Sequence, residues 1–336
     1  MRVIEVVADC GHADTLISIA EQHEVYDHWR FQPREETGRC ICRMLVTPDK
    51  VQEVIDALQT ALEKTENSRI IIQPVEATVP RPPEPEDAKS KALTRSREEL
   101  YTRIEAGAKL DNTFIMMAVL STVVVAIGLL EDNVAVVIGA MVIAPLLGPN
   151  MAMAFAAALG DTRLALQSLK TNVSGVSIAL VITILIGLLW PLNFDSRELL
   201  LRTDVGLEGI VLALASGMAA GLSLTSGISA TLVGVMVAVA LLPPAATLGL
   251  MLGAGNYQMA LGALLLLAVN VVCVNLAAKI TFLIRGVRPR TWWKKQKARQ
   301  SMLTYIVFWI ISLLVLLVVI RVHHDYLAES VQVLVK

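Results

Sequence analysis

Prolines and polar side chains interrupt two long apolar segments of this chain, and their types and spacing define the first candidate site. Proline lacks a backbone N–H and clashes with the carbonyl one turn earlier. At membrane depth the freed carbonyl must find a side chain, a water or a ligand. We expect a break at residues 148–150, faced by Pro243, Pro244 and Thr247 in the second segment. The alternative is a pair of kinks that only shape helix packing. The candidate pathway residues are Pro145, Gly148, Pro149, Asn150, Pro243, Pro244, Thr247, Ser121, Ser216 and Asn270.

Three of the four cysteines and one histidine form a second candidate site. Cys10 and His12 follow the first predicted strand, and Cys40 and Cys42 begin the third. These strands are antiparallel neighbours in a split β-α-β-β-α-β sheet, so the four ligands can converge on zinc or a similar ion. The alternative is that the strand cysteines are small buried hydrophobic residues. The cysteine usage is more typical of a reducing compartment than of a disulfide scaffold, and we predict no other cofactor.

The predicted spans contain few groups for chemistry. No Asp, Glu or His lies at the centre of a predicted span, which argues against a proton pump, a metal transporter and an intramembrane enzyme. Lys279 lies near one end of its span, where we expect it to snorkel to the interface. The many Ser and Thr residues fit close helix approach, or else a polar pathway that also uses Asn172 and Asn275. A neutral solute, or an anion held by backbone donors, remains compatible with the sequence.

The composition shows which elements must position these residues. The chain is 55% hydrophobic with a mean hydropathy of +0.61, and no charged residue or histidine occurs from Gly209 to Ala278. Such a stretch must cross a bilayer repeatedly. The net charge of −1 gives no bias toward nucleic acid. We predict an all-α polytopic domain at 111–320 with about seven spans: 113–130, 134–159, 173–191, 207–224, 229–253, 259–284 and 301–320.

Residues 1–77 alternate strand and helix patterns and predict a soluble N-terminal α+β domain. The strands are predicted at 2–8, 25–32, 39–47 and 69–75, and the helices at 14–23 and 48–64. This order is that of the ferredoxin-like split β-α-β-β-α-β fold found in small-ligand regulatory domains. A Pro-rich linker is predicted at 78–95, an amphipathic helix at 96–110 and a C-terminal tail at 321–336. The amphipathic helix can lie on the membrane surface or pack on its own domain.

Twelve residues recur 95 positions apart: IGAMVIAPLLGP at 138–149 matches VGVMVAVALLPP at 233–244 at six positions. With three spans in each copy, the second copy enters the membrane from the opposite side. We therefore predict inverted repeats at about 112–192 and 207–286, plus an extra span at 301–320. The basic segment 285–299 belongs inside, which predicts a cytoplasmic N-terminal domain and a C-terminus on the opposite side.

The segment SREELYTRIEAGAKLDNTFIMMAVLSTVVVAIGLLEDNVAVVIGAMVIAPLLGP at 96–149, followed by the VGVMVAVALLPP copy, resembles a known family. It is the bacterial and archaeal membrane family called domain of unknown function three-eighty-nine. The resemblance spans about residues 96–285 and implies a polytopic membrane protein preceded by a small soluble domain. It implies no substrate and no functional residues.

These observations predict a transporter or channel for a small neutral or anionic solute, and not an enzyme. We expect a homo-oligomer in the bacterial inner membrane, with the lipid bilayer and an unknown solute as its partners and no nucleic acid. Its cytoplasmic domain would regulate or assemble it. The alternative is a non-transporting oligomeric scaffold or sensor whose soluble domain binds a ligand or a partner.

Overall fold

The computed structural model describes residues 1–31, 38–63, 65, 67–80, 96–190, 196–226, 230–287 and 306–322. The chain forms two compact units, Met1–Tyr101 and Thr102–Lys336, and each is described by itself. The predicted linker at 78–95 falls largely outside the described residues, as do most of the basic segment 285–299 and the C-terminal tail.

The N-terminal unit contains a four-stranded antiparallel sheet in the order β2-β3-β1-β4. Apolar residues alternate with exposed ones along β1 and β3, so one face of each strand is buried against the two helices. The sheet therefore owes its register to its hydrophobic pattern. The elements are β1 (Arg2–Asp9), α1 (Ala13–Gln22), β2 (Asp27–Phe31), β3 (Arg39–Val46), α2 (Val51–Ala61) and β4 (Arg69–Pro74).

Helix α3 (Arg97–Gly107) occupies the position of the predicted amphipathic helix. Ser96 accepts a hydrogen bond from the backbone N–H of Glu99 at 3.2 Å, which caps the helix. In the first turn, Arg97 donates its backbone N–H to Gln52 Oε1 at 2.9 Å and forms an ion pair with Asp56 at 3.0 Å. The start of α3 therefore packs on α2, the second of the two alternatives for this helix.

The C-terminal unit is helical throughout its described residues. Its helices are α4 (Asn112–Leu130), α5 (Val134–Ile143), α6 (Leu147–Leu159), α7 (Thr162–Leu189), α8 (Arg197–Leu200), α9 (Leu207–Ser226), α10 (Ala230–Gly253), α11 (Tyr257–Ile284) and α12 (Ile306–Val322). Four of them, α4, α7, α9 and α11, are long and apolar enough to cross a membrane, and the bent pair α5–α6 makes a fifth if it counts as one span. Val237–Gly253 and Ile306–Val322 are shorter apolar helices. The seven predicted spans are therefore not confirmed.

Helix boundaries in this unit recur 95 residues apart, which is the spacing of the two repeated segments. Gly160 and Gly255 end α6 and α10 with left-handed φ angles of 68° and 73°, which glycine adopts without strain. Asp161 and Asn256 then cap α7 and α11 by accepting the N–H three residues later, at 3.0 and 3.2 Å. The paired boundaries are Asn112 and Leu207, Thr162 and Tyr257, and Leu189 and Ile284.

Candidate functional site

The first copy of the repeat is broken at Pro145. Helix α5 ends at Ile143, and Ala144 is extended with φ −62° and ψ 125°, the conformation favoured before a proline. Helix α6 then starts at Leu147, and the axes of α5 and α6 differ by 54°. The break thus occupies residues 144–146, before the predicted position at 148–150.

The break was predicted at the wrong residues. The effect of a proline depends on where in the helix it lies, and not on how many prolines are present. Gly148 and Pro149 lie in the first turn of α6, where proline is tolerated because the N–H would have no helical acceptor. A Cβ at Gly148 would collide with the backbone of Gly107. A larger residue at this position would disturb packing, so Gly148 is a packing position and not a test of a pathway.

The second copy behaves differently, because α10 continues through Pro243 and Pro244. The residue equivalent to Pro145 is Ala240, 95 positions later, so the chain can remain helical there. Pro244 has no N–H to donate to the Ala240 carbonyl, and Pro243 has none for the carbonyl of Val239. Asn270 of α11 compensates by donating Nδ2 to the Ala240 oxygen at 2.8 Å.

A cleft of about 500 Å³ lies beside this proline pair, and we call it the α9–α11 cleft. Four charged residues line it, and we call them its mouth because all but Arg202 are exposed: Arg197, Arg202, Asp204 and Glu208. A second set also lines it, and we call it the floor because all but Val239 are buried: Val239, Ala240, Pro244, Leu266 and Asn270. Three residues of α9 also line the cleft: Gly209, Leu212 and Ala213. In the sequence they lie between the mouth residues and the floor residues. Among the pathway candidates, Pro244 and Asn270 line this cleft.

One polar atom of the Asn270 side chain lacks a hydrogen-bond partner among the described residues. Asn270 is 5% exposed, and its Oδ1 has no hydrogen-bond partner among the described residues. Its orientation follows from its contact, since only Nδ2 can donate to the carbonyl of Ala240. A buried acceptor without a donor costs free energy. The cleft is therefore lined by a residue whose side-chain oxygen is buried and unpaired among the described residues.

An ion pair organises the segment that forms the mouth. Glu198 pairs with Arg202 at 2.7 Å and donates its backbone N–H to Asp132 Oδ1 at 2.7 Å. Ser196 donates to the Leu129 carbonyl at 2.6 Å, which ties the segment to α4. Burial lowers the pKa of the Arg202 guanidinium from its ordinary value, and Glu198 opposes that shift. Arginine nevertheless stays protonated, so the pair keeps both charges.

Asn150 belongs to a different polar cluster, which we call the asparagine ladder. Asn275 of α11 donates Nδ2 to Asn150 Oδ1 at 3.2 Å, and Asn150 donates Nδ2 to Asn172 Oδ1 of α7 at 3.0 Å. Asn150 also donates to the Leu146 carbonyl beside the break, at 2.9 Å. The residue of the second copy that bonds Asn150 is therefore Asn275, which was not among the residues expected to face the break.

The hydroxyl candidates bond within their own helices or have no partner. Ser121 donates to Ala118 at 3.2 Å, and Ser216 donates to Leu212 at 2.7 Å. Such back-bonding fits close helix approach and not a polar lining. Thr247 is fully buried, and its Oγ1 has no partner among the described residues; it does not line the α9–α11 cleft.

Lys279 does not snorkel to an interface as expected. It is 2% exposed, and its Nζ lies 4.6 Å from the centroid of the Trp309 ring. The sequence placed it near the end of a span, but α12 covers it. A cation over an aromatic face is stabilised by the ring quadrupole, which gives a structural account of a charge in this position.

The cysteine candidates of the N-terminal unit do not assemble as four metal ligands. Ala8 pairs with Cys40 across β1 and β3, so Cys10 just beyond β1 reaches Cys40, and the two form a disulfide. This bond differs from the expectation of reduced cysteines. Cys42 is buried, and burial raises the pKa of its thiol. His12 Nε2 lies 3.3 Å from Thr65 Oγ1. Among the described residues no group of three or more His, Cys, Asp or Glu can hold a metal ion.

Sequence reasoning therefore found some of these groups and missed others. The asparagines were recognised as candidate polar residues, but their pairing depends on tertiary packing. Val239 was missed, although the signal exists, since it lies four residues before Pro243. The mouth residues were not among the candidates, because nothing local in the sequence places them beside α11.

The apolar helices and the cleft among them indicate a membrane-embedded protein. The family described as "Domain of unknown function (DUF389)" matches residues 141–276. The chain is similar to "Uncharacterized protein MJ0678" of Methanocaldococcus jannaschii, with 35% identity over 282 residues that cover 84% of this chain and 87% of that protein. The chain belongs to this uncharacterised membrane family, as its sequence resemblance predicted. No solved structure matches it.

Proposed function

We propose that this protein is a transporter or channel for a small solute, and not an enzyme. The observation that carries the proposal is the α9–α11 cleft, which runs from charged residues before α9 to the proline pair inside α10. Prolines inside α10 free backbone carbonyls from their helical partners, and at membrane depth such carbonyls need another group, which a solute can supply. The sequence left both neutral and anionic solutes open.

The wider setting of this function is part of the same proposal. We place the protein in the bacterial inner membrane as a homo-oligomer with seven spans and inverted repeats, without a nucleic-acid partner. The recurrence of helix boundaries at 95 residues supports the repeat. The sheet order β2-β3-β1-β4 supports a ferredoxin-like fold for the N-terminal unit, which we assign to the cytoplasm with a regulatory or assembly role.

A scaffold or sensor remains the second candidate, and close helix packing favours it. A Cβ at Gly217 would collide with the backbone of Val274, and a Cβ at Gly221 would lie 2.9 Å from the Thr281 side chain. Such glycine contacts hold α9 tightly on α11. A protein that only anchors and oligomerises a soluble domain needs nothing more than this packing.

Solute flux through the purified full-length protein in proteoliposomes distinguishes a transporter or channel from a scaffold or sensor. The cleft variant is Gly209→Leu, because a Cβ at Gly209 meets only Leu266 Cδ1, at an ordinary 3.7 Å, and the rest of the side chain can fill the cleft. We expect solute influx to fall by about tenfold or more, equivalent to about 1.4 kcal/mol of barrier. Swelling of the proteoliposomes in glycerol or acetamide measures the flux of neutral solutes. Uptake of nitrate or phosphate measures the flux of anions.

The matched control is Gly139→Leu in α5, where nothing lies within 4 Å of an added Cβ. Both substitutions remove a helical glycine, so general effects on helix stability should be alike. Flux that survives Gly209→Leu would reject the cleft as the pathway. Absence of flux in the unaltered protein for every solute would favour the scaffold.

A further inference from the structure

We infer that the open face of the N-terminal sheet packs against the same face of a second copy of this chain. The open face is the side of the sheet that points away from α1 and α2. The inference rests on the proposed homo-oligomer and assigns a surface to the assembly role of this unit, whereas solute transport does not depend on it. Two properties of the face identify a second protomer as its occupant: its apolar composition and its self-complementary charges.

The open face is apolar where a solvated face is usually polar. An antiparallel sheet with one face in water normally alternates apolar residues inside with polar residues outside. The inner face follows this rule, with Ile4, Val6 and Met44 at 0% exposure. On the open face, however, Phe31 is 50% exposed and Ile71 is 38% exposed. A contiguous apolar patch of this kind indicates an interaction surface. Its other apolar residues are Val3, Val7, Trp29, Ile41 and Leu45.

The two central strands carry opposite charges on this face. Strand β1 contributes Glu5 and Asp9, and β3 contributes Arg43 and Arg39. The register pairs Glu5 with Arg43 and Asp9 with Arg39, and the first two form an ion pair. In the rows between and beside these charges, an apolar residue of β1 pairs with an apolar residue of β3. All acids of the central strands thus lie on one side of the midline of the face, and all bases on the other.

This pattern is self-complementary about a two-fold axis that runs parallel to the strands, between β1 and β3. Such an axis places β3 of one protomer over β1 of the other, so Arg43 faces Glu5 of the other protomer, and the reverse. Trp29 of β2 then faces Ile71 of β4, because all four residues share one row of the sheet. A two-fold contact uses the same surface twice, and here that surface matches itself in charge and in polarity.

The alternative axis, which runs across the strands, is disfavoured. It would place Arg43 over Arg43 and Glu5 over Glu5 of the two protomers, and like charges in contact are costly. Packed sheets are commonly rotated by about 30° relative to each other. Arg43 and Glu5 lie beside the axis in the middle of the face, so this rotation displaces them little. The charges therefore select one arrangement of the two sheets.

The same charges favour a second protomer over a lipid surface. Any occupant removes water from Glu5 and Arg43, and a buried charge is costly unless it is compensated. The other protomer brings a guanidinium to each carboxylate and a carboxylate to each guanidinium. An acyl chain brings neither, and an anionic headgroup compensates only the arginine. A second copy of this chain is the occupant that satisfies both charges.

The size of the open face suits a contact between membrane-anchored protomers. Its strands are five to eight residues long, which gives roughly 400 Å² of flat area in each protomer at ordinary strand spacings. Two such faces bury about 800 Å², less than the minimum of about 1,000 Å² expected for a stable interface between free proteins. Anchoring in one membrane raises the effective concentration of the protomers. We therefore expect the contact in the bilayer and not in dilute detergent solution.

Cross-linking of full-length protein in membranes tests this arrangement. Val3 lies beside the axis, so the Cα atoms of Val3→Cys in two protomers would be about 11 Å apart. A bismaleimide with a two-carbon linker should then give a cross-linked dimer, and one new thiol per chain excludes a link within a protomer. The matched control is Glu53→Cys, exposed on α2 behind the sheet, which should give no dimer. The unaltered protein supplies the blank, because Cys42 and Cys273 are buried.

Charge reversal tests the complementarity. In the Val3→Cys protein, Arg43→Glu or Glu5→Arg alone should lower the yield of dimer about tenfold or more, because four like charges meet. Coexpression of the two variants with different affinity tags should restore the yield, and only in dimers that contain one of each. Neither variant regains its internal ion pair in the mixture, so this rescue cannot come from a repaired fold.

A yield for Val3→Cys no higher than for Glu53→Cys overturns the inference, as does a yield that ignores charge reversal or lacks rescue. A thiol at Val3→Cys that is shielded from a monofunctional maleimide but forms no cross-link would indicate another occupant and also overturn it. If charge reversal prevents folding, the comparison of Val3→Cys with Glu53→Cys decides by itself. Solute flux without the cross-link would keep the transport proposal and reject this dimer. The cross-link without flux would keep the dimer and favour the scaffold.

Discussion

Three asparagine side chains from three helices share one directional chain of hydrogen bonds in the C-terminal unit. Asn275 donates to Asn150, which donates to Asn172, so α11, α6 and α7 are joined through side chains. Neither end of the ladder is complete among the described residues, because Asn172 Nδ2 and Asn275 Oδ1 lack partners. The ladder breaks the repeat, since the residue equivalent to Asn150 is Ala245. It therefore joins the two copies at positions that the repeat does not duplicate.

A double-mutant cycle on Asn150 and Asn275 measures whether this ladder stabilises the fold. We expect Asn150→Leu and Asn275→Leu to show a coupling energy of about 0.6–1.7 kcal/mol, the range for side-chain hydrogen bonds between membrane helices. Unfolding in detergent, followed by circular dichroism, gives the free energies. The control cycle pairs Asn150→Leu with Asn270→Leu, which share no hydrogen bond, and should be additive. A coupling energy of zero for the first pair would show that the ladder contributes nothing.

At the scale of elements, the two copies of the repeat differ because only the first has a proline at the position of Pro145. The first copy bends by 54° between α5 and α6, whereas α10 is continuous. Pro145 occupies the break, and Ala240 occupies the equivalent position. The two prolines of α10 are accommodated inside the helix, where Asn270 bonds one of the freed carbonyls. Two segments of similar sequence thus give a broken element and a continuous one.

Pro145→Ala should join α5 and α6 into a straighter helix, because Ala144 would no longer be forced out of the helical region. Spin labels at Val134→Cys and Leu159→Cys, at the outer ends of the two helices, should move apart. Pro149→Ala is the control, since Pro149 lies in the first turn of α6 and should not change the distance. An unchanged distance in Pro145→Ala would mean that packing against neighbouring helices imposes the bend.

The elements that could be predicted are those governed by local rules. Strand β3 was expected at 39–47 and occupies Arg39–Val46, because its apolar alternation is a local signal. The helix boundaries near Asp161 and Asn256 follow from capping residues. The position of the break was missed because it depends on the residue before Pro145 and on where α6 starts. The pairing of Asn270 with Ala240 is tertiary, and no pattern in the sequence contains it.

The whole molecule combines a sheet-containing unit with a unit of apolar helices, and the proposed transport function requires a defined orientation of those helices. Three spans per copy place equivalent positions on opposite sides of the bilayer, provided that each element crosses once. The orientation of the two copies is therefore the property on which an alternating-access mechanism depends.

Thr162 and Tyr257 test this orientation as a matched pair. They are 95 positions apart, both are exposed, and each is the first residue of its helix after a left-handed glycine and a capping side chain. In intact bacterial cells, a membrane-impermeant maleimide should label Tyr257→Cys and spare Thr162→Cys, which should react only after permeabilisation. Glu131→Cys, in the loop after α4, should behave like Tyr257→Cys. Because the two local structures are alike, differences in reactivity must come from sidedness. Labelling of both positions from the same side would contradict inverted repeats, and the cleft would then have to be explained by a topology in which at least one element does not cross.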